Sequence, residues 1–340
     1  MGVTIVDVAK KAGVSPATVS KYLNRKKVSA QNHARIKEAM AELNYQVNDF
    51  ARGLRTSASK MIGLLVWSVD NIYTTSLFNE VAKQLNDINY SLVLCNYNKS
   101  AAAFSEQIAF LRQRMVDGII IQLGGQINEL IRQELRELQA ARIPFVLVNG
   151  RVEGIECDAV LGDDVQCIRN CVTHLLEHGH RKIGMIMAPR NTAKIRDLKA
   201  GFRQAYEDAG LTAEEELLFS FDDNNCWPVV SKEKITGFLQ AHPDLTALVL
   251  PGYRLTIAGI NVLHQLGRKI GEDIALIGFD CSVINDVLNP TVTYIHLPAD
   301  EIAADAIELL IDAIGQKEER PARIIHISTK RIDGNSVFRI

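Results

Sequence analysis

The sequence predicts a small all-α helix-turn-helix head followed by an α/β body of two parallel-sheet lobes. Charge divides the chain first: residues 1–60 hold eleven Lys/Arg against four Asp/Glu, and the remaining 280 hold 27 against 36. A basic head on an acidic body fits a nucleic-acid-binding module joined to a separate domain, or a merely solvated basic face. Two short helical segments then meet at a glycine turn near the start. From residue 61 onward, short apolar strands alternate with amphipathic helices. With 340 residues, 47% hydrophobic and 23% charged, the chain is too long for one core and too apolar for disorder. No apolar run approaches the roughly 20 residues of a membrane span, and the first residues lack the pattern of a secretory leader. The six cysteines include no Cys-x-x-Cys pair and read as reduced thiols, so a cytoplasmic chain is expected.

In the head, Thr4 stands three residues before Asp7, a capping-box-like helix start. Gly13 stops that helix. Ser15-Pro16 starts another at once, serine as cap and proline at the first helical position, where its missing N–H costs nothing. Val19 and Leu23 turn inward, while Ala17 and Lys21 share an outer face. A third helix begins near Val28-Ser29-Ala30 and carries Ile36, Ala39, Met40 and Leu43 at helical spacing. The second helix of such a unit can enter a major groove. Domain bounds of 1–46 for this head, 47–60 for a connecting segment, and 61–340 for the body follow.

Thr4-Ile5-Val6-Asp7-Val8-Ala9-Lys10-Lys11-Ala12-Gly13-Val14-Ser15, Thr18-Val19-Ser20, Leu23-Asn24, Val28-Ser29 and Leu43-Asn44-Tyr45 closely resemble the head of the lactose-repressor (LacI/GalR) family of transcription factors. The resemblance implies that Pro16, Ala17 and Lys21 face base edges and that Thr18, Ser20, Asn24 and Tyr45 touch the phosphate backbone. Thr4 and Ser15 fall on the same DNA-binding surface. His33 stands where the family usually has arginine, which implies a weaker or pH-dependent backbone contact. Physical chemistry agrees for Lys21, whose ammonium can donate to guanine O6 and N7. For Thr18 and Ser20, local helix hydrogen bonding is the competing reading.

The stretch 48–55 is too short to be a stable isolated helix, and Gly53 weakens it further. It resembles the family's hinge helix, which implies DNA contacts from Asn48, Ala51, Arg52 and Leu54, with Leu54 wedging between base pairs in the minor groove. A flexible linker is the alternative. Val47 replaces the proline usual before this helix.

Strands are expected at Ile62–Val66, Leu92–Cys95, Gly118–Gln122, Phe145–Asn149, Ile183–Met187, Ala247–Leu250 and Ile274–Phe279, with helices such as Phe78–Ile88 and Ser105–Met115 between them. Such near-continuous apolar strands imply parallel sheets covered on both faces, with ligands at strand carboxyl ends. The pieces Ala247-Leu248-Val249-Leu250, Ile277-Gly278-Phe279-Asp280 and Gly179-His180-Arg181-Lys182-Ile183-Gly184 again resemble the family, whose body is built like a periplasmic sugar-binding protein. By that analogy the N-lobe spans about 61–160 and 291–322, and the C-lobe about 161–290 and 323–340. Effector contacts are then expected from Asp70, Asn71, Tyr73, Asn149, Arg190, Arg196, Tyr253, Arg254 and Asp280. Tyr253-Arg254 replaces a common Asn-Asp pair and Asn149 a common acid. These changes predict an anionic effector, a sugar acid or sugar phosphate, with Asp280 holding hydroxyls; a neutral sugar is the alternative.

Phosphate-loop, nucleophile-elbow and zinc-protease motifs are all missing from the sequence, so no enzyme and no cofactor is expected. Cys167, Cys171, His174 and His178 share one helical face and could hold zinc or pack; packing is the expectation. The function implied is an operator-binding transcriptional regulator, most often a repressor in this family. It would be a homodimer, or a tetramer, at the bacterial nucleoid when DNA-bound, and controlled by a small carbohydrate-type effector. A body that binds a partner protein, and a solute-binding protein, are the competing classes. For the hinge, backbone amides at 48–55 should exchange freely without DNA and be protected on operator. Leu54→Ala should abolish most operator affinity with dimerisation intact; protection in the free protein would contradict coupled folding.

Overall fold

A computed structural model describes residues 3–23, 27–45, 59–98, 100–124, 127–187, 192–221, 229–316 and 320–340. Two compact units result, 1–59 and 60–340. The first contains α1 (Ile5–Ala12), α2 (Pro16–Leu23) and α3 (Ala30–Glu42). Val8, Ala9, Ala12, Val19, Ile36 and Ala39 form its small core. A Lys11–Glu42 ion pair at 2.6 Å ties α1 to α3.

The second unit holds β1 (Met61–Val66), α4 (Ile72–Asp87), β2 (Ser91–Asn96), α5 (Ala101–Gln113), β3 (Gly118–Gln122), α6 (Glu129–Ala140), β4 (Phe145–Val148) and β5 (Asp158–Gly162). There follow α7 (Asp164–Glu177), β6 (Ile183–Met187), α8 (Thr192–Asp208), β7 (Leu218–Ser220), α9 (Val229–Ala241), β8 (Ala247–Val249), α10 (Tyr253–Gln265) and β9 (Ala275–Phe279). The unit ends with β10 (Thr293–His296), α11 (Ala299–Gly315), β11 (Ile324–Ile327) and β12 (Lys330–Ile332). Two six-stranded sheets form, ordered β11-β5-β4-β3-β1-β2 and β12-β10-β9-β8-β6-β7. Every pairing is parallel except β10 with β12. Each sheet carries an apolar cluster on both faces, so β3, β6 and β9 are buried along their whole length. That double burial is what parallel order requires.

All seven expected strands form. The five not expected, β5, β7, β10, β11 and β12, are short or lie at or near an edge, where polar residues interrupt the apolar run. They also move the lobe boundaries. β5 reaches Gly162, so the first crossing follows 162, close to the expected boundary of about 160. β10 pairs with β9 and belongs to the second sheet, which puts the second crossing at Leu297-Pro298, not at 290. β11 pairs with β5, so the third follows Ile327, not 322. A strand pairs along its backbone as one unit, and boundaries drawn without these strands cut through their ladders.

Helices α7 and α8 approach most closely at Gly201, where an added Cβ would overlap the carbonyl oxygen of Val165. Gly201→Ala must push the two helices apart. It should lower stability by about 1–3 kcal/mol, the usual cost of overpacking, read as a lower urea midpoint; an unchanged midpoint would contradict this packing.

Candidate nucleic-acid interface and effector cleft

In the head, the backbone N–H of Thr4 donates to Asp7 Oδ2 at 2.8 Å, and the Thr4 hydroxyl accepts from the Asp7 N–H at 3.4 Å. The Thr4 hydroxyl also donates to Asp7 Oδ2 at 2.6 Å, and that bond, with the Thr4 N–H, holds the Asp7 carboxyl below its usual range. Gly13 takes φ +63°, the left-handed conformation that ends α1. Ser15 Oγ then accepts from the Thr18 N–H at 3.2 Å and lies 2.9 Å from the Thr18 hydroxyl. Caps and turn thereby fix how α2 leaves α1. Val19 is fully buried, whereas Pro16, Ala17 and Lys21 stand exposed on the outer face. Thr4, Ser15 and His33 are exposed as well. His33 meets the Tyr22 ring edge-on, centroids 4.8 Å apart. Thr18, Ser20 and Tyr45 are half-buried, and Tyr45 packs on the core. The local hydrogen bond read as an alternative for Thr18 is present. Asn24, Asn48, Ala51, Arg52, Leu54 and Arg190 lie outside the described residues.

In the body, strand carboxyl ends from both sheets meet where the chain crosses. Asn149 follows β4 and Asp280 follows β9, with φ of +63° and +52°. Non-glycine residues rarely adopt such values, and where they do the strain often marks a functional site. The Tyr73 hydroxyl donates to Asn149 Oδ1 at 3.1 Å, which turns the Asn149 amide toward its remaining role as donor. Burial pushes the Tyr73 phenol well up. Asp280 accepts from the Leu297 N–H at 3.2 Å. Burial raises its carboxyl to about 6, against the pull of that bond and of the Lys194 charge.

A cavity of about 250 Å³ adjoins these groups, lined by Asn149, Arg151, Asp163, Asp164, Lys194, Asp197, Leu297 and His326 among others. The Lys194 ammonium lies 3.0 Å from Asp164 Oδ1. Burial works to lower its pKa, but Asp164 outweighs burial and holds it above the usual lysine range. Asp163 caps α7 by accepting from the Gln166 N–H at 3.0 Å.

Several expected contacts change. Arg196 is exposed on α8 and does not line this cavity; Lys194 and Asp197, three apart on another face, do. Helical phase decides which residue reaches inward. Arg254 is engaged by Asp70 from the other lobe, and Asp70 also accepts from Ser68. Asn71 caps α4 by accepting from the Tyr73 N–H at 3.0 Å. Tyr253 is half-buried at the start of α10. Sequence reasoning missed Lys194, Asp163, Asp164 and Asp197 as cavity-lining residues, although for all but Asp197 the start of a helix after a strand end was the signal that could have found them. Cys167 and Cys171 lie in the core. His178 Nδ1 bonds the His174 carbonyl at 2.7 Å, and among the described residues no three His, Cys, Asp or Glu side chains gather for a metal.

The helix-turn-helix region, residues 4–48, matches the lacI family of bacterial regulatory proteins, and residues 172–337 match a periplasmic binding protein-like domain. The HTH-type transcriptional repressor PurR of Proteus mirabilis (strain HI4320) is 30% identical over 98% of this chain and 96% of its own length. That of Yersinia enterocolitica is 31% identical with the same coverage. The chain belongs to the lacI family. Its fold matches the lac repressor dimer bound to operator and the anti-inducer ONPF, with TM-score 0.82 at 21% identity, covering 99% of this chain and 100% of that one. A CelR–cellobiose complex aligns with TM-score 0.72 at 24% identity over 98% and 99%. This lacI-family repressor thus joins a DNA-binding helix-turn-helix to a ligand-binding body. None of its described helices is long and apolar enough to cross a membrane.

The raised Asp280 carboxyl predicts that the stability of the body depends on pH. Its raised folded pKa leaves stability unaffected below about pH 4 and lowers it as the pH climbs through about 6. Asp280→Asn should therefore match the native chain at pH 4 and exceed it by about 2–3 kcal/mol at pH 7.5 in urea unfolding. Equal stability at both pH values would contradict a buried, charge-disfavouring site.

Proposed function

We propose that the chain is a dimeric, operator-binding repressor whose interlobe cleft takes a small, uncharged, hydroxyl-bearing effector. Two heads related by a two-fold axis would read a pseudo-palindrome. The effector would bias one lobe arrangement, and through it the hinge, because a ligand shifts a conformational equilibrium only by its differential affinity for the two states. The observation that carries the effector reading is a cavity lined by Asn149, Asp163, Asp164 and Lys194, with the Tyr73 hydroxyl bonded to Asn149 and Asp280 close enough to feel the Lys194 charge. The cellobiose and ONPF complexes of the structural neighbours are in keeping with it.

A sugar acid or sugar phosphate is the less supported class. The arginines behind that expectation are Arg190, which is not described, Arg196, which is exposed, and Arg254, which Asp70 engages. The cavity lining instead sets Asp163, Asp164 and Asp197 against Lys194 and the exposed Arg151. Calorimetric titration of the full chain with a hexose, its phosphate and its aldonate separates the classes. Tighter binding of the neutral member is expected. Tighter binding of the anions, lost in Lys194→Gln, would restore the anionic reading, and no small-molecule binding would favour a partner protein.

For DNA, Lys21→Ala should relax preference at one position of each half-site, by about 1–3 kcal/mol. Binding to duplexes selected from a random pool reads this out. A uniform loss with a shallower salt slope would reduce Lys21 to a phosphate contact.

A further inference from the structure

All three chain crossings lie on one side of the body. β5 and β11 form one edge of the first sheet, and β10 and β12 form the matching edge of the second. The lobes are therefore hinged along that edge and unconnected by chain elsewhere. β1 lies three strands away from β5 in its sheet, or about 14 Å at ordinary strand spacing. At the carboxyl end of β1, on the side away from the hinge, Asp70 reaches across and pairs with Arg254 of α10 in the opposite lobe.

Arg254 needs such a partner. It sits in the first turn of α10, where the helix dipole disfavours a cation. The cap residue of that helix is Gly252, which supplies no side-chain bond, and the first turn holds no acid. Asp70 in the other lobe supplies such compensation while the lobes are close. A hinge rotation of about 15°, the size made by well-studied switching subunits, would part the pair by about 4 Å at this lever arm. The guanidinium is 22% exposed and the carboxylate 49%, so the Arg254 side of the pair is withdrawn from solvent and the Asp70 side is not.

We propose that Asp70 and Arg254 form a clasp at the mouth of the cleft, which favours the closed lobe arrangement before any effector arrives. The clasp then sets the fraction of chains in the closed state. Effectors that bind that state gain apparent affinity in proportion to it. This regulatory role rests on the cleft being the effector site, but the clasp itself can be tested without effector or DNA. A partly exposed ion pair shifts a two-state equilibrium by about two- to fivefold and weakens with salt.

The test uses the full chain with spin-labelled unnatural residues at the exposed positions Glu106 on α5 and Lys234 on α9, one in each lobe. Labelled chains are diluted into unlabelled ones, and distances are read by pulsed electron resonance. The native chain should show mainly the short distance at low salt, with a growing long component as salt rises. Asp70→Asn and Arg254→Gln should each enlarge the long component about two- to fivefold, and the double exchange Asp70→Arg with Arg254→Asp should restore the short one. Identical distributions in all four proteins would overturn the clasp. So would opening in the single variants that the double exchange fails to reverse. Because no effector is present, neither outcome bears on the proposed ligand.

Discussion

Three chain crossings confined to one edge are the constraint from which the rest of the body follows. They turn two covered parallel sheets into two plates that share a hinge, with the strand carboxyl ends of each facing the other. Backbone polar groups and helix first turns collect at those ends, so the polar residues placed there line the cleft instead of a packed core. Asn149 and Asp280 occupy the turns that terminate β4 and β9, both in the left-handed region. Leu297, at the second crossing, packs on the cores of both lobes and donates its N–H to Asp280. The hinge and the most desolvated carboxylate of the cleft are therefore joined by one hydrogen bond. That link gives a cleft ligand a direct route to bias lobe geometry.

The head obeys a different constraint. Its core is a handful of side chains, so its geometry depends on caps and a turn: the Thr4–Asp7 box, left-handed Gly13, and Ser15 at the start of α2. Those bonds consume the polar groups nearest the turn and leave Pro16, Ala17 and Lys21 unburied on one face. A rigid frame with three outward residues is what base reading needs, because contacts to base edges depend on position more than on charge.

Much of this was legible in the sequence where the signal is local. Gly13 and Ser15-Pro16 state their conformations by residue type, and β3 and β6 were placed to the residue because continuous apolar runs are unmistakable in buried parallel strands. β5 begins with Asp158, whose carboxylate is buried against Arg320, more than 150 residues away, and no local pattern announces such a partner. β12 is exposed along its whole length, so apolar periodicity had nothing to register. The same division holds in the cleft. Asp280 and Asn149 do follow strand ends, because apolar strands make their own ends predictable. Lys194, not Arg196, reaches the cavity because the phase of α8 depends on where that helix begins, and the Asp70 partner of Arg254 lies in the other lobe, where no local pattern announces it.

On the proposed function, ligand binding in the cleft and operator binding by the head are one coupled equilibrium. Linkage makes the coupling reciprocal: a ligand that changes operator affinity by some factor must have its own affinity changed by the same factor when operator is bound. The decisive measurement takes a small molecule that raises the melting temperature of the full chain. It is titrated calorimetrically into the chain alone and into the chain saturated with a duplex selected from a random pool. The account predicts two different ligand affinities, with a ratio equal to that of the operator affinities measured with and without ligand. Equal ligand affinities in the two titrations would show that the cleft and the head act independently, and would contradict the account.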